Sequence, residues 1–327
     1  VGPAFEIPLA GWGAGGWGGG AWGYGGTSLS SIRLWSQSNF GENLVFGPRG
    51  GGIYYWDAAG GVITRGVNAK DLVGASDVPE VQNFILVSDA SRFVFAFGVN
   101  EFGSATFNPM LIRWSDQNNQ YVWTPDATNQ AGSVRLSHGS RIVQAVQTRQ
   151  EIVVLTDASV YSLQYVGTPV IWSSQLLGDN ISILGPNAAI VASGKVYFMG
   201  VDKFYVYDGR LNTLRCDLRQ YIYNDINLQQ GAQVFAGTSE GFNEVWWFYC
   251  SQGSNEIDKY VIYNYLEDIW YYGQMARTAW LDTGILNTPL AATYLNNLVN
   301  HETGYDDDAT GTVAPIEAYI MSAEFDI

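Results

Sequence analysis

The stretch Val196-Tyr197-Phe198-Met199-Gly200-Val201-Asp202-Lys203-Phe204-Tyr205-Val206-Tyr207-Asp208-Gly209 decides how the chain reads. Two short apolar and aromatic runs, 196–199 and 204–207, flank a turn carrying Gly200 and Asp202. β-branched and aromatic side chains fit a pleated, packed surface, so the segment reads as antiparallel strands joined by a tight turn. The same signal extends both ways. Toward the N-terminus it covers 32–35, 43–46, 53–57, 84–87, 93–97, 110–114, 142–146, 152–155, 160–165 and 188–191. Toward the C-terminus it covers 234–236, 244–249 and 260–265. Gly, Asn, Asp and Ser bound these runs, as tight turns require.

A loose repeat organises them. Successive units end in an aromatic residue followed by Asp or Asn: Trp56-Asp57, Trp114-Ser115-Asp116, Tyr207-Asp208 and Tyr263-Asn264. A Trp follows a few residues later at Trp123, Trp172 and Trp270. Asp57, Asp116, Asp208 and Asn264 lie 59, 92 and 56 residues apart, and the longest gap holds one further unit ending near Tyr165. The period is therefore about 50 residues, the size of a propeller blade. A small antiparallel sheet cannot bury both faces alone, and radial packing of several sheets solves this while leaving only short edges. The expected fold is all-β: a β-propeller-like array of antiparallel sheets, five or six units between residues 30 and 305. A β-sandwich or barrel is the competing architecture. One segment, 217–226, has apolar residues at 218, 221, 222 and 226 and reads as a single short helix capped by Asp217.

Composition narrows the function. The chain of 327 residues has 16 Lys+Arg against 31 Asp+Glu, a net charge of −15, which argues against a protein that grips nucleic acid by neutralising phosphates. Aromatic content of 14% rules out an acidic disordered chain. Two His make histidine-based zinc catalysis untenable, and two Cys are too few for a disulfide scaffold. No apolar run is long enough for a membrane-spanning helix. Charged residues are only 14%, low for a solvent-facing monomer, which fits either burial of surface in an assembly or a surface rich in Asn, Gln, Ser and Thr.

Reactive constellations are missing. There is no Gly-x-Ser-x-Gly elbow and no phosphate-binding Gly-x-x-x-x-Gly-Lys loop. His138 lies in a turn composition and His301 at a strand end, places typical of solvated or capped histidines. Cys250 ends the run 245–249 and reads as a small buried apolar residue; Cys216 precedes the helix, and a disulfide between the two stays open. Asp306-Asp307-Asp308 lacks calcium-loop spacing and reads as an exposed acidic loop. Glu101, Asp157, Asp179 and Asp202 are isolated carboxylates near turns. The expectation is a non-enzyme with no catalytic residue, no cofactor and no metal.

The chain divides into a Gly/Trp-rich irregular extended segment (1–30), a propeller-like domain (31–305), and an acidic loop with the start of a further strand region (306–327). In the first segment Trp12, Trp17 and Trp22 recur every five residues among glycines. Three indoles are unlike a plain linker and mark these residues as the candidate inter-subunit contact; packing on their own domain is the competing reading. The start at Val1 and the stop on Phe325-Asp326-Ile327 suggest a piece of a longer polypeptide.

Several phrases resemble tail hub or nozzle proteins of short-tailed (podovirus-type) bacteriophages, a group related to packaged-DNA stabilisation proteins. They are the Trp-Gly repeats, Ile32-Arg33-Leu34-Trp35-Ser36, Pro48-Arg49-Gly50-Gly51 with Tyr54-Tyr55-Trp56-Asp57, and Arg113-Trp114-Ser115-Asp116 with Trp123-Thr124-Pro125. Gly178-Asp179-Asn180-Ile181-Ser182, Gly185-Pro186-Asn187-Ala188-Ala189, the opening stretch above from Gly200, and Asn243-Glu244-Val245-Trp246-Trp247-Phe248-Tyr249 continue the likeness. It runs from about residue 11 to the end and carries no catalytic motif. The resemblance implies a virion structural subunit bearing a β-propeller, a homohexamer in a ring with a DNA channel along its axis. That ring would sit below the portal and adaptor, beside tail-fibre or tail-tip proteins, retain packaged DNA, and conduct it during ejection without reading its sequence. An acidic lumen would let DNA slide by repelling it. An acidic outer face is the plainer account of the charge. A carbohydrate-binding propeller, a receptor reader, is the alternative function, and a propeller glycosidase the third.

Overall fold

The computed structural model describes residues 3–6, 32–282, 288–307 and 312–316. Trp12, Trp17, Trp22, Asp308 and residues 317–327 of the expected further strand region lie outside these.

The alternation within single strands explains the architecture. In strand β1 (Trp35–Phe40) through β4 (Val67–Asn68), with β2 (Asn43–Pro48) and β3 (Tyr54–Trp56) between, sequence neighbours pair antiparallel in the order 1-2-3-4. The pattern recurs in β5 (Gln82–Val87), β6 (Val94–Asn100), β7 (Phe107–Trp114) and β8 (Gly132–Arg135). It recurs in β9 (Ile142–Gln147), β10 (Glu151–Thr156), β11 (Ser159–Gly167) and β12 (Ile171–Asp179), then in β13 (Ala189–Ala192), β14 (Lys195–Met199), β15 (Phe204–Tyr207) and β16 (Leu211–Leu214). A fifth sheet holds β17 (Phe235–Ser239), β18 (Glu244–Tyr249), β19 (Lys259–Asn264) and β20 (Ile269–Gln274). The sixth has three strands, β21 (Ala279–Leu281), β22 (Leu290–Ala292) and β23 (Leu298–Asn300). β24 (Asp306–Asp307) and β25 (Ala314–Pro315) form a separate short pair. The six meander sheets are the blades of a six-bladed β-propeller, with the first strand of each blade packed on the first strand of the next from β1 to β21.

In blades 2 to 5 the second strand is buried on both faces, because a blade lies on either side of it. Every residue of β6 is buried. Phe95 and Phe97 pack with Ile152, Val154 and Trp172 of blade 3, whereas Val94, Ala96 and Val99 pack toward Val45 and Ile53 of blade 1. Phe97 and Val99 have the same parity but opposite faces, because the register slips between them at Gly98. Gly98 has φ +60°, and a Cβ there would stand 2.6 Å from the Asn83 amide nitrogen, so the bulge demands glycine. β18 repeats the arrangement: Val245, Trp247 and Tyr249 face blade 4, and Trp246, Phe248 and Cys250 face blade 6. The cores thus lie between blades. Each buried Phe or Trp contributes about 1.5–3 kcal/mol by leaving water, so the aromatic content of the sequence is spent on blade junctions.

The aromatic–Asp/Asn phrases fall at the ends of third strands, at Trp56, Trp114, Tyr207 and Tyr263, and the unit near Tyr165 lies in the third strand β11. Trp172 and Trp270 lie on fourth strands, while Trp123 is buried in the loop after β7. Two local expectations shift. β1 runs from Trp35 to Phe40, so residues 32–34 only lead into it. Helix α1 spans Arg219–Asp225 and its N-cap is Leu218, without a side-chain cap. Asp217 instead accepts from Arg215 Nε at 3.3 Å, one residue too early to cap. The helix is held by burial of Ile222.

Candidate functional site

Three surfaces stand out: the axial mouth, a groove between blades 1 and 2, and the outer rim.

The mouth lies on the face where the inner strands begin. Arg49 sits in the β2–β3 turn of blade 1, Arg141 immediately precedes β9 of blade 3, and Gln230 precedes β17 of blade 5. Side chains from alternate blades can meet only near the axis. Arg49 Nη1 donates to the Val143 carbonyl of blade 3 at 3.3 Å. The short N-terminal piece 3–6 enters the same place: Glu6 N–H donates to Gln230 Oε1 at 2.9 Å, and Gln230 Nε2 donates to the Glu6 carbonyl at 2.8 Å. Gln230 is only 2% exposed. Burial pushes the Glu6 carboxyl up, against the pull of Arg141 and Arg49. Burial, and then the like charge of Arg141, bring Arg49 down to about 10. Farther in, Leu34, Trp35, Phe84 and Asn187 line a void of about 10 Å³, although blades 1 and 4 are opposite each other in the ring. That is room for about one water.

A groove of about 490 Å³ lies where the blade 1–2 connector meets the β6–β7 loop, lined by Lys70, Asp77, Glu80, Asn100 and Ser104 among others. Its polar groups are already engaged. Asp77 accepts from Arg113 Nη2 at 2.8 Å and from Gly103 N–H at 3.1 Å, and Asn100 Oδ1 accepts the Glu80 N–H at 3.0 Å. The Arg113 side chain is fully buried, stacked 4.0 Å from the Phe102 ring centre. Burial lowers its pKa while Asp77 opposes that. The pair reads as a structural pin.

The rim carries almost no charge. Across the outer strands β4, β8, β12, β16, β20 and β23, the only ionisable acids and bases are Arg135 and Asp179, apart from tyrosines. Val67, Leu176, Ile269, Tyr271, Tyr272 and Leu298 are exposed there. The remaining acids and bases lie mainly in the loops of the two flat faces. Edge strands normally carry charges that discourage pairing with other chains, and these do not.

The residues singled out from sequence are dispersed. Glu101, Asp157, Asp179 and Asp202 belong to blades 2, 3, 3 and 4, and each has a local partner: Asn108, Ser140, His138 and Lys203 respectively. His138 Nδ1 lies 3.5 Å from Asp179 on the surface. His301 is pushed down to about 4 by burial and by Arg277, whose Nε donates to His301 Nε2 at 2.9 Å. A ring nitrogen that accepts from a guanidinium is neutral and occupied. Cys216 and Cys250 are free thiols, and burial lifts them to about 11 and about 12. Among the described residues no group of His, Cys, Asp or Glu could hold a metal ion, and no helix is long and apolar enough to cross a membrane. The mouth itself went unread. Arg49 among glycines in a cation-poor chain was its one signal, and Gln230 gave none.

No family model and no curated protein sequence matches the chain. Solved structures do resemble it in fold. The extracellular domain of the one-component system BT4673 from B. thetaiotaomicron aligns with TM-score 0.51 and 10% identity over 88% of this chain, which spans 33% of that protein. Hsv2p of Kluyveromyces lactis gives 0.45 and 11% over 82% of this chain and 73% of its own. The lectin SapL1, in complex with alpha methyl fucoside, gives 0.44 and 13% over 82% and 95%. At these identities the likeness concerns fold alone.

Proposed function

We propose that the chain is a non-enzymatic structural subunit of a short-tailed phage tail, of the nozzle or hub type. Copies assemble as a ring, six in the resembling family, that retains packaged DNA below the portal and adaptor and conducts it during ejection. The observation that carries this reading is the rim: six edge strands with apolar and aromatic side chains and two charged residues suit burial against other chains better than exposure to water. The sequence phrases that resemble tail proteins point the same way. In this reading DNA passes along the axis of the ring of copies.

Electron microscopy of the purified protein tests this. The expected result is a six-fold ring whose central hole admits a duplex. Monomers at all concentrations would remove the reading.

A second reading, a carbohydrate-binding propeller, has its own support. Tyr271 and Tyr272 are 41% and 44% exposed on β20, and Tyr221 packs on Tyr272 with ring centres 4.7 Å apart. Such open rings can stack on sugar faces. Glycan-array binding that is lost in Tyr272→Ala would favour it.

A further inference from the structure

We propose that the outer corner of blade 5, where α1 meets β20, binds one neutral pyranose unit of a glycan, with Tyr221 and Tyr272 as its stacking platform and the Asp225–Lys259 pair as its polar clamp. The inference rests on the carbohydrate reading above and gives that reading a site and a class of sugar.

Strand register builds one side of the site. Lys259 of β19 lies opposite Tyr249 of β18 and Gln274 of β20, and Val261 lies opposite Tyr272. Cross-strand partners share a face, and alternate residues along a strand return to it. Lys259, Tyr272 and Gln274 therefore stand with Tyr249 on the face of blade 5 that turns toward blade 4. Helix α1 builds the other side. Tyr221 and Asp225 are four residues apart and so lie on one helical face. The two sides meet in two places. The Tyr221 and Tyr272 rings stand 4.7 Å apart, and Asp225 Oδ2 accepts from Lys259 Nζ at 2.8 Å. Rings this close leave no slot between them, so a ligand lies across their open faces, as the apolar face of a pyranose does.

The clamp has capacity to spare. Among the described residues Lys259 gives one of its three ammonium protons to Asp225, and Asp225 accepts only through Oδ2. Donors and a free acceptor side by side suit two adjacent hydroxyls, because each hydroxyl both donates and accepts. The Lys259 and Asp225 side chains are only 18% and 29% exposed, so water screens these charge-assisted bonds incompletely. The hydroxyl of Tyr249, the cross-strand neighbour of Lys259, is buried without a hydrogen-bond partner among the described residues, and the Asp225 charge acts on it. Buried polar groups are nearly always paired, so an orphan hydroxyl behind the clamp marks a place for one more polar atom.

Charge selects a neutral ligand. The Lys259 ammonium already lies over the Tyr221 ring, 5.8 Å from its centre, in the position a cationic ligand would take. Asp258, which accepts the Ser251 N–H and hydroxyl at 2.8 and 2.6 Å, also acts on Lys259. Two carboxylates against one ammonium disfavour a uronate or a sialate.

A glycan array carrying neutral hexose and hexosamine glycans beside their sialylated and uronate-bearing counterparts, probed with the full chain, gives the test. The expected result is binding to neutral glycans, at least about tenfold tighter than to the acidic counterparts. Tyr272→Ala and Asp225→Asn should each weaken that binding about tenfold, while unfolding midpoints show that both variants remain folded. The conservative Asp225→Asn guards against simple loss of structure. Glycan binding that survives both substitutions would overturn the site and leave the carbohydrate reading standing. Equal binding of acidic glycans would overturn the selection of a neutral sugar. An array on which nothing binds would overturn the site and the carbohydrate reading together.

Discussion

At the centre of the propeller, strands that cannot pair as a sheet are joined by side chains. Ile85 and Val87 of β5 donate their N–H groups to Ser36 and Ser38 of β1 at 3.0 and 3.1 Å. Gln144 of β9 exchanges two hydrogen bonds with the Ala189 main chain of β13, at 2.9 and 3.0 Å. Trp247 donates its indole N–H to the Ala188 carbonyl at 3.0 Å, and Trp280 to that of Thr238 at 2.8 Å. At the rim, the outward edges of β16 and β20 pair with no further strand among the described residues. The chemistry is reversed as well: polar groups such as those of Ser36 and Gln144 are buried and hydrogen-bonded inside, while Leu, Ile and Tyr stand outside. Polar side chains at the centre tie neighbouring inner strands together. Apolar edges at the rim leave surface that only another chain, or a ligand, would cover.

The contrast breaks hardest at a junction. Trp247→Ala removes a fully buried ring that touches Phe204 and Trp270 and spans blades 4 and 5. It should cost about 3–5 kcal/mol in denaturant unfolding. Next comes Asp77→Ala, which strands the buried Arg113 guanidinium. The expected loss is about 3 kcal/mol, the lower end for a broken buried pair because Asp77 is partly open to water. Gln144→Leu keeps the volume but leaves the Ala189 N–H and C=O without partners, and should cost about 1–3 kcal/mol.

A pH titration probes the same junction more gently. Burial alone would raise the Glu151 carboxyl, but donors on Ser162, Tyr207 of blade 4 and Gln164 together hold it below its ordinary 4.5. A depressed folded-state value means the stabilisation is present above that ordinary value and is lost as pH falls through the folded one. Unfolding midpoints of Glu151→Gln should therefore depend less on pH below about 4.5 than those of the unaltered chain. The smallest effect on the fold is expected at the rim. Tyr271→Lys with Tyr272→Glu should change unfolding by no more than about 0.5 kcal/mol, while light scattering reports loss of the assembled species.

How far the sequence revealed this division follows from where each part gets its signal. Second and third strands were legible because burial on both faces demands continuous runs such as 93–97 and 244–249. Third-strand ends announced themselves through Trp56, Trp114, Tyr207 and Tyr263. Fourth strands such as Leu211-Asn212-Thr213-Leu214 were not read, since a half-exposed edge needs neither bulk nor alternation. The choice between propeller and sandwich could not be made from runs alone, because both bury alternating faces; six separate meanders make it. The axial mouth was illegible for another reason. Its parts lie at positions 6, 49, 141 and 230, and no local pattern connects residues that only ring geometry brings together. Trp12, Trp17 and Trp22, singled out as the contact between subunits, lie outside the described residues.

The serine and glutamine bridges between inner strands have a consequence for how the ring breathes. The amide hydrogens of Ile85, Val87 and Ala189 are held by a side chain of the neighbouring blade. Their exchange with solvent deuterium therefore tracks separation of one blade from the next, while ladder amides such as those of β10 track fraying within a sheet. Three backbone positions thus act as internal reporters of ring opening, readable without any added label.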